Sequence, residues 1–199
     1  NTIYVFGKQG EQTVITKTQA TDGKDWTAPV HIDTPAEADI TSAMAWGNQL
    51  YLLAGNELYT SQDGLSWEKV GTTKLQQLVA NVYSDEIQKI MAIDTDNHYT
   101  ESQDGINWVS YEEMPDRFPT SRLSFASYPL DTNKDIYRTV VVGDHGVASD
   151  STTVAWTQLD TDTDWTDLEA QDNANACPKL ENMTMVRYNN ELYMFGGKG

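Results

Sequence analysis

A single cysteine, Cys177, stands in a chain of 199 residues, so no disulfide can form within it and no cysteine-built metal cluster exists. One thiol does not identify a compartment. Basic side chains are scarce as well: 13 Lys and Arg face 30 Asp and Glu, for a formal net charge of -17. Such a surface repels phosphate backbones and anionic bilayers and attracts cations or a basic protein patch. Nucleic acid is therefore excluded as an expected partner. No apolar run approaches the roughly 18 residues that a membrane-spanning helix needs, and no stretch carries the 3.6-residue apolar period of an amphipathic helix. The opening Asn1-Thr2-Ile3-Tyr4 is neither an initiator methionine nor a signal peptide, and it reads as the start of a mature or excised piece.

What the chain does contain is a repeat. Ser61-Gln62-Asp63-Gly64-Leu65-Ser66-Trp67 returns as Ser102-Gln103-Asp104-Gly105-Ile106-Asn107-Trp108, and Thr21-Asp22-Gly23-Lys24-Asp25-Trp26 is a looser copy. Trp26, Trp67 and Trp108 are each 41 residues apart. A period of this size marks an architecture in which each unit is a small sheet that buries its faces only against its neighbours. The expected fold is all-β: a β-propeller, or an incomplete section of one, built of four-stranded antiparallel blades with a repeat of about 41–48 residues.

Within a unit the strands are termed a to d. In the second unit, spanning 40–70, strand a is Ile40 to Trp46, Gly47-Asn48 is a hairpin turn, strand b is Gln49 to Ala54, strand c runs from Glu57 to Ser61, and Asp63-Gly64 turns the chain into strand d. A third unit covers 77–111. A fourth, 123–159, is less regular, with Val147 to Ser149 and Val154 to Leu159 expected as its last two strands. The first unit, 1–31, lacks strand a, and the fifth, 183–199, lacks strands c and d. A closed ring needs about 4–8 blades, so more chain is expected before or after these residues. Self-association through the edges of unfinished blades is the other expectation.

Two resemblances support this reading. The tail from Pro178 to Gly197, with its apolar run Leu192-Tyr193-Met194-Phe195 before Gly196-Gly197, resembles the first half of a Kelch repeat, echoed more weakly at Leu50 to Gly55 and Val140 to Gly143. The Ser-x-Asp-Gly-x-x-Trp phrases resemble a shortened Asp-box, the turn of sialidase-like propellers, with Asp and Gly adjacent where that family has one more residue between them. The resemblance implies a structural role, in which Asp caps backbone amides of the c-to-d hairpin and Trp packs between blades. Taken whole, the chain looks similar to uncharacterised exported or lipid-anchored bacterial propeller proteins, which implies an extracytoplasmic location, whether periplasmic, cell-surface or secreted.

Catalytic chemistry is poorly represented. A sialidase needs an arginine triad with a tyrosine nucleophile, whereas the arginines here are Arg117, Arg122, Arg138 and Arg187, and no such constellation can be placed. His31, His98 and His145 do not reproduce the copper site of Kelch-type oxidases, and no Gly-x-Ser-x-Gly elbow is present. Alternating carboxylates at Asp160, Asp162 and Asp164 form a metal candidate, since such spacing suits a hard cation such as calcium. The positions where an EF-hand requires Gly and Glu hold Trp165 and Gln171. With those ligands missing, a solvated acidic linker is the simpler reading of the run, and otherwise no cofactor is expected.

Strand alternation selects a face. The b-to-c loops and d-to-a connections leave a blade at one end, and the tight a-to-b and c-to-d turns at the other. Long connections at one rim are where repeat scaffolds place binding sites, and His98, Arg117, Phe118, Asp144 and His145 map there as candidate ligand residues. The expected function is a non-catalytic extracytoplasmic module that recognises a glycan or a partner protein. The alternative is a glycan-active hydrolase or lyase with its carboxylates on the same rim.

Overall fold

The computed structural model describes residues 2–19, 23–32, 39–83, 88–96, 98–111, 118–119, 121–131, 136–145, 152–159, 165–167, 181–188 and 191–198. All regular structure among them is strand. The chain divides into two compact units, Asn1–Leu78 and Val79–Gly199, and each is described by itself.

In the first unit, β1 (Thr2–Gln9), β2 (Gln12–Gln19) and β3 (Val30–His31) form a sheet in that order. The next sheet follows as β4 (Ile40–Trp46), β5 (Gln49–Ala54), β6 (Glu57–Ser61) and β7 (Glu68–Thr72). Every pairing is antiparallel between sequence neighbours, the meander expected when two-residue turns join successive strands. A bulge between Ile40 and Ser42 changes the face on which Ile40 lies. Ile40 then joins Phe6 and Trp67 around buried Leu52, Ala54 and Tyr59.

The centre of β5 is buried on both sides: Tyr51, Leu52, Leu53 and Ala54 all lie at 2% exposure or less. A strand covered on both faces reads as a continuous apolar run instead of an alternation, as Leu50-Tyr51-Leu52-Leu53-Ala54 does. Tyr59 donates its hydroxyl to Glu57, which also pairs with Lys69. Burial, and then the bond to Glu57, push the Tyr59 phenol up to about 12. The carboxyl of Glu57 is held below its usual range by Lys69 first and Tyr59 second.

β8 (Leu75–Tyr83) crosses the division between units and forms a sheet with β9 (Gln88–Asp94), β10 (Tyr99–Ser102) and β11 (Val109–Tyr111). In the second unit, β12 (Ser121–Asp131), β13 (Ile136–His145), β14 (Thr152–Leu159) and β15 (Thr166–Asp167) make another four-stranded sheet. β16 (Glu181–Tyr188) and β17 (Glu191–Lys198) pair as a final ribbon. Ile90 to Ile93 and Val140 to Val142 repeat the buried run of β5.

The fourth sheet corrects one strand assignment. Val154 to Leu159 belong to the third strand, β14, in register with Arg138 to Gly143 of β13, and the outer strand is β15. The physical marker is Trp165. Nine per cent exposed, it sits edge-on to Tyr99 at 5.4 Å and to Phe118 at 5.1 Å. A tryptophan preceding the outer strand is the signature of Trp67 and Trp108, and here the Asp-Gly turn that flagged them is absent from the sequence. Val147 to Ser149 lie outside the described residues.

Candidate functional site

The two Ser-Gln-Asp-Gly phrases fold into the same turn. Asp63 Oδ1 accepts the amides of Leu65 at 2.7 Å and Ser66 at 2.8 Å, and Ser61 Oγ accepts that of Gly64 at 2.9 Å. In the copy, Asp104 Oδ1 accepts Ile106 at 2.8 Å and Asn107 at 2.7 Å, and Ser102 Oγ accepts Gly105 at 2.9 Å. Gly64 and Gly105 have φ of 76° and 72°, the left-handed region that favours glycine. The amides hold both carboxyls below the usual aspartate range, most strongly at Asp104, where the Asn107 side chain adds a third bond. Bonded to the amides of their own loop, these carboxylates close hairpins.

A polar cleft of about 390 Å³ opens beside the first of these turns, lined by Gln49, Thr60, Gln62, Asp63 and Glu68. At the opposite end of the first unit, where the b-to-c loops and d-to-a connections emerge, a cavity of about 210 Å³ lies between the first two sheets. Phe6 and Ile40 supply its apolar wall, Thr13 a polar one, and Lys8 and Asp39 pair at its margin. Ligand pockets for whole small molecules run at about 300–1,000 Å³, so this volume suits one side chain or one ring.

The b-to-c hairpin of the third sheet carries a denser polar group. Asp94 is 4% exposed. Its Oδ1 accepts the amides of Asp96 at 2.9 Å and His98 at 2.8 Å, while His98 Nδ1 lies 3.3 Å from Oδ2. One ligand atom from each of Asp94, Asp96 and His98 falls within 4.8 Å of the others. Carboxylates and an imidazole at this separation can converge on a cation or on a donor group of a partner. The turn's own hydrogen bonds already account for the geometry of Asp94.

Of the candidate ligand residues, His98 is the one whose side chain meets other polar side chains among the described residues. Asp96 and Asp94 were missed, although Asp94-x-Asp96-x-His98 across a hairpin tip was a readable signal. Phe118 is 3% exposed and packs on Trp165, a core position and not a surface one. Asp144 and His145 end β13, paired in register with Thr153 and Thr152, and their side chains lie outside the described residues. Arg117, Asp160, Asp162 and Asp164 also lie outside them, the three aspartates in the connection from β14 to Trp165.

With serial antiparallel sheets and a repeated c-to-d turn established, comparison with known proteins is decisive. The model of the DUF6242 β-propeller domain family matches residues 1–199. The chain belongs to this family. It is also 28% identical over 143 residues to the Kelch repeat protein M-T8 of Myxoma virus (strain Lausanne), a match covering 64% of this chain and 27% of that protein. The matched stretch therefore spans about a quarter of the viral relative. No helix among the described residues is long and apolar enough to cross a membrane.

Proposed function

We propose that this DUF6242 propeller is a non-catalytic binding module, acting outside the cytoplasm, that holds a partner protein or a glycan at the end where the b-to-c hairpins emerge. The observation that carries the reading is the cavity bounded by Phe6, Ile40, Lys8 and Asp39. It offers an apolar wall for one ring or aliphatic side chain, with a cation and an anion beside it to orient the polar part. Propeller scaffolds serve unrelated activities, so function follows from the site and not from the fold. The likeness to a Kelch repeat protein supports a binding role, and the formal charge of -17 favours a partner that presents basic groups.

The test is a glycan array and an array of basic peptides probed with the labelled chain. Hits are then measured with Lys8→Ala and Asp39→Ala, and with Gln62→Ala and Glu68→Ala in the opposite cleft. The first pair should weaken binding at least tenfold and the second pair should leave it unchanged. Loss confined to the Gln62 and Glu68 variants would place the site at the wrong end. Turnover of an arrayed glycan would favour a hydrolase.

A further inference from the structure

The b-to-c hairpins of the second and third sheets begin alike and close differently. Leu53 pairs with Leu58 where Ile93 pairs with Tyr99, so Asp94 takes the place of Ala54 and His98 that of Glu57. Both strand ends are buried, Ala54 at 0% exposure and Asp94 at 4%. In the second sheet Gly55 and Asn56 turn the chain with an alanine at that position. The fold does not require a carboxylate there, and burying one is costly unless it is paired.

The hairpin uses half of that carboxylate. Oδ1 accepts the amides of Asp96 and His98. Oδ2 accepts no hydrogen bond among the described residues and faces His98 Nδ1 at 3.3 Å, beyond the reach of about 2.7–2.9 Å at which charge-assisted bonds form. The Asp94 side chain is 6% exposed, so water is a poor substitute partner for this oxygen.

The separation has a second meaning. Ligand atoms held about 2.0–2.1 Å from a tetrahedral zinc ion stand about 3.3–3.4 Å from one another, which is the spacing of Asp94 Oδ2 and His98 Nδ1. Asp96 completes a set of three whose ligand atoms all lie within 4.8 Å of each other. Because Asp96 is exposed, a change of its rotamer can close the remaining distance while β9 and β10 stay in place.

We propose that Asp94, Asp96 and His98 bind one divalent transition-metal ion such as zinc, with the fourth position open to water. Two carboxylate oxygens and an imidazole nitrogen suit this borderline class, whereas calcium takes about 6–8 oxygen ligands. The formal charge of -17 draws cations to the surface. Asp94 ends β9 and His98 precedes β10, so the ion ties the two strands together across the hairpin tip.

Isothermal titration of the chelator-treated chain with zinc chloride tests this, in about 0.15 M salt so that diffuse binding to the acidic surface is screened. The wild-type chain should show one saturable site that an equal concentration of calcium does not compete for. His98→Ala and Asp96→Asn should each weaken it at least tenfold with unchanged circular dichroism. Asp94→Ala, which installs the residue of the second sheet, should remove it; should that variant unfold, the other two decide. His145→Ala and Asp162→Asn should bind zinc as the wild type does. A chain without a saturable site, zinc binding that survives the substitutions at 96 and 98, tighter binding of calcium than of zinc, or loss of the site in the His145 or Asp162 variant overturns the proposal.

Discussion

Asp63 and Asp104 show how much a single carboxylate does here. Each is exposed to water, yet each collects backbone amides that would otherwise lack partners in a tight turn, which favours the charged form. Both folded pKa values lie below the ordinary value of about 3.9. Stabilisation from these turns is therefore complete above that value and is lost as the pH falls through the lower folded values. The urea midpoint of the wild-type chain should drop steeply below about pH 4. Asp63→Asn and Asp104→Asn should lower the midpoint at neutral pH and flatten this acid limb, Asp104→Asn more so. An acid limb of equal slope in wild type and variants would assign the sensitivity to other carboxylates.

At the scale of the element, the c-to-d hairpin is a device for seating one sheet on another. Gly64 has both the positive φ and the crowded surroundings that exclude a side chain, with Tyr4 and Ile15 at 2.9 Å and 3.1 Å from a built Cβ. Gly23 has a similar φ of 62° and open space. Gly64→Ala should cost about 1–3 kcal/mol from backbone strain and overpacking, and Gly23→Ala should cost less, since only the strain applies. Chemical denaturation of both variants measures the difference. Equal losses would mean that the contact with Tyr4 is not under compression.

These hairpins were also the legible part of the sequence, because Asp-Gly and Gly-Asn turns carry their geometry in their residue types. The strand positions in the second and third sheets followed from them. In the fourth sheet the signal fails: Asp160 to Asp164 contain no glycine, so the residue types point to Val154 to Leu159 as the outer strand although Trp165 precedes the true one. Phe118 stands between loops in the sequence, which points to the rim, but its ring is drawn into the aromatic cluster of Trp165 and Tyr99. Loop position in a sequence does not report burial. His98 was legible as a polar hairpin residue, while its two aspartate neighbours passed as ordinary turn formers, which their amide bonds show them also to be.

At the scale of the whole molecule, a series of meandering sheets separates two kinds of loop. The short c-to-d turns at Asp63 and Asp104 are held by their own hydrogen bonds, which leaves the loops at the other end of these sheets to vary, as a repeat scaffold does when it gains a binding surface without disturbing its core. Amide hydrogen exchange of the chain, alone and saturated with the strongest array hit, tests this division most directly. Added protection is expected at the amides of Lys8 to Thr13 and Asp39 to Ile40, and none at Gly64 to Trp67 or Gly105 to Trp108. Protection confined to the Asp63 and Asp104 turns would contradict it.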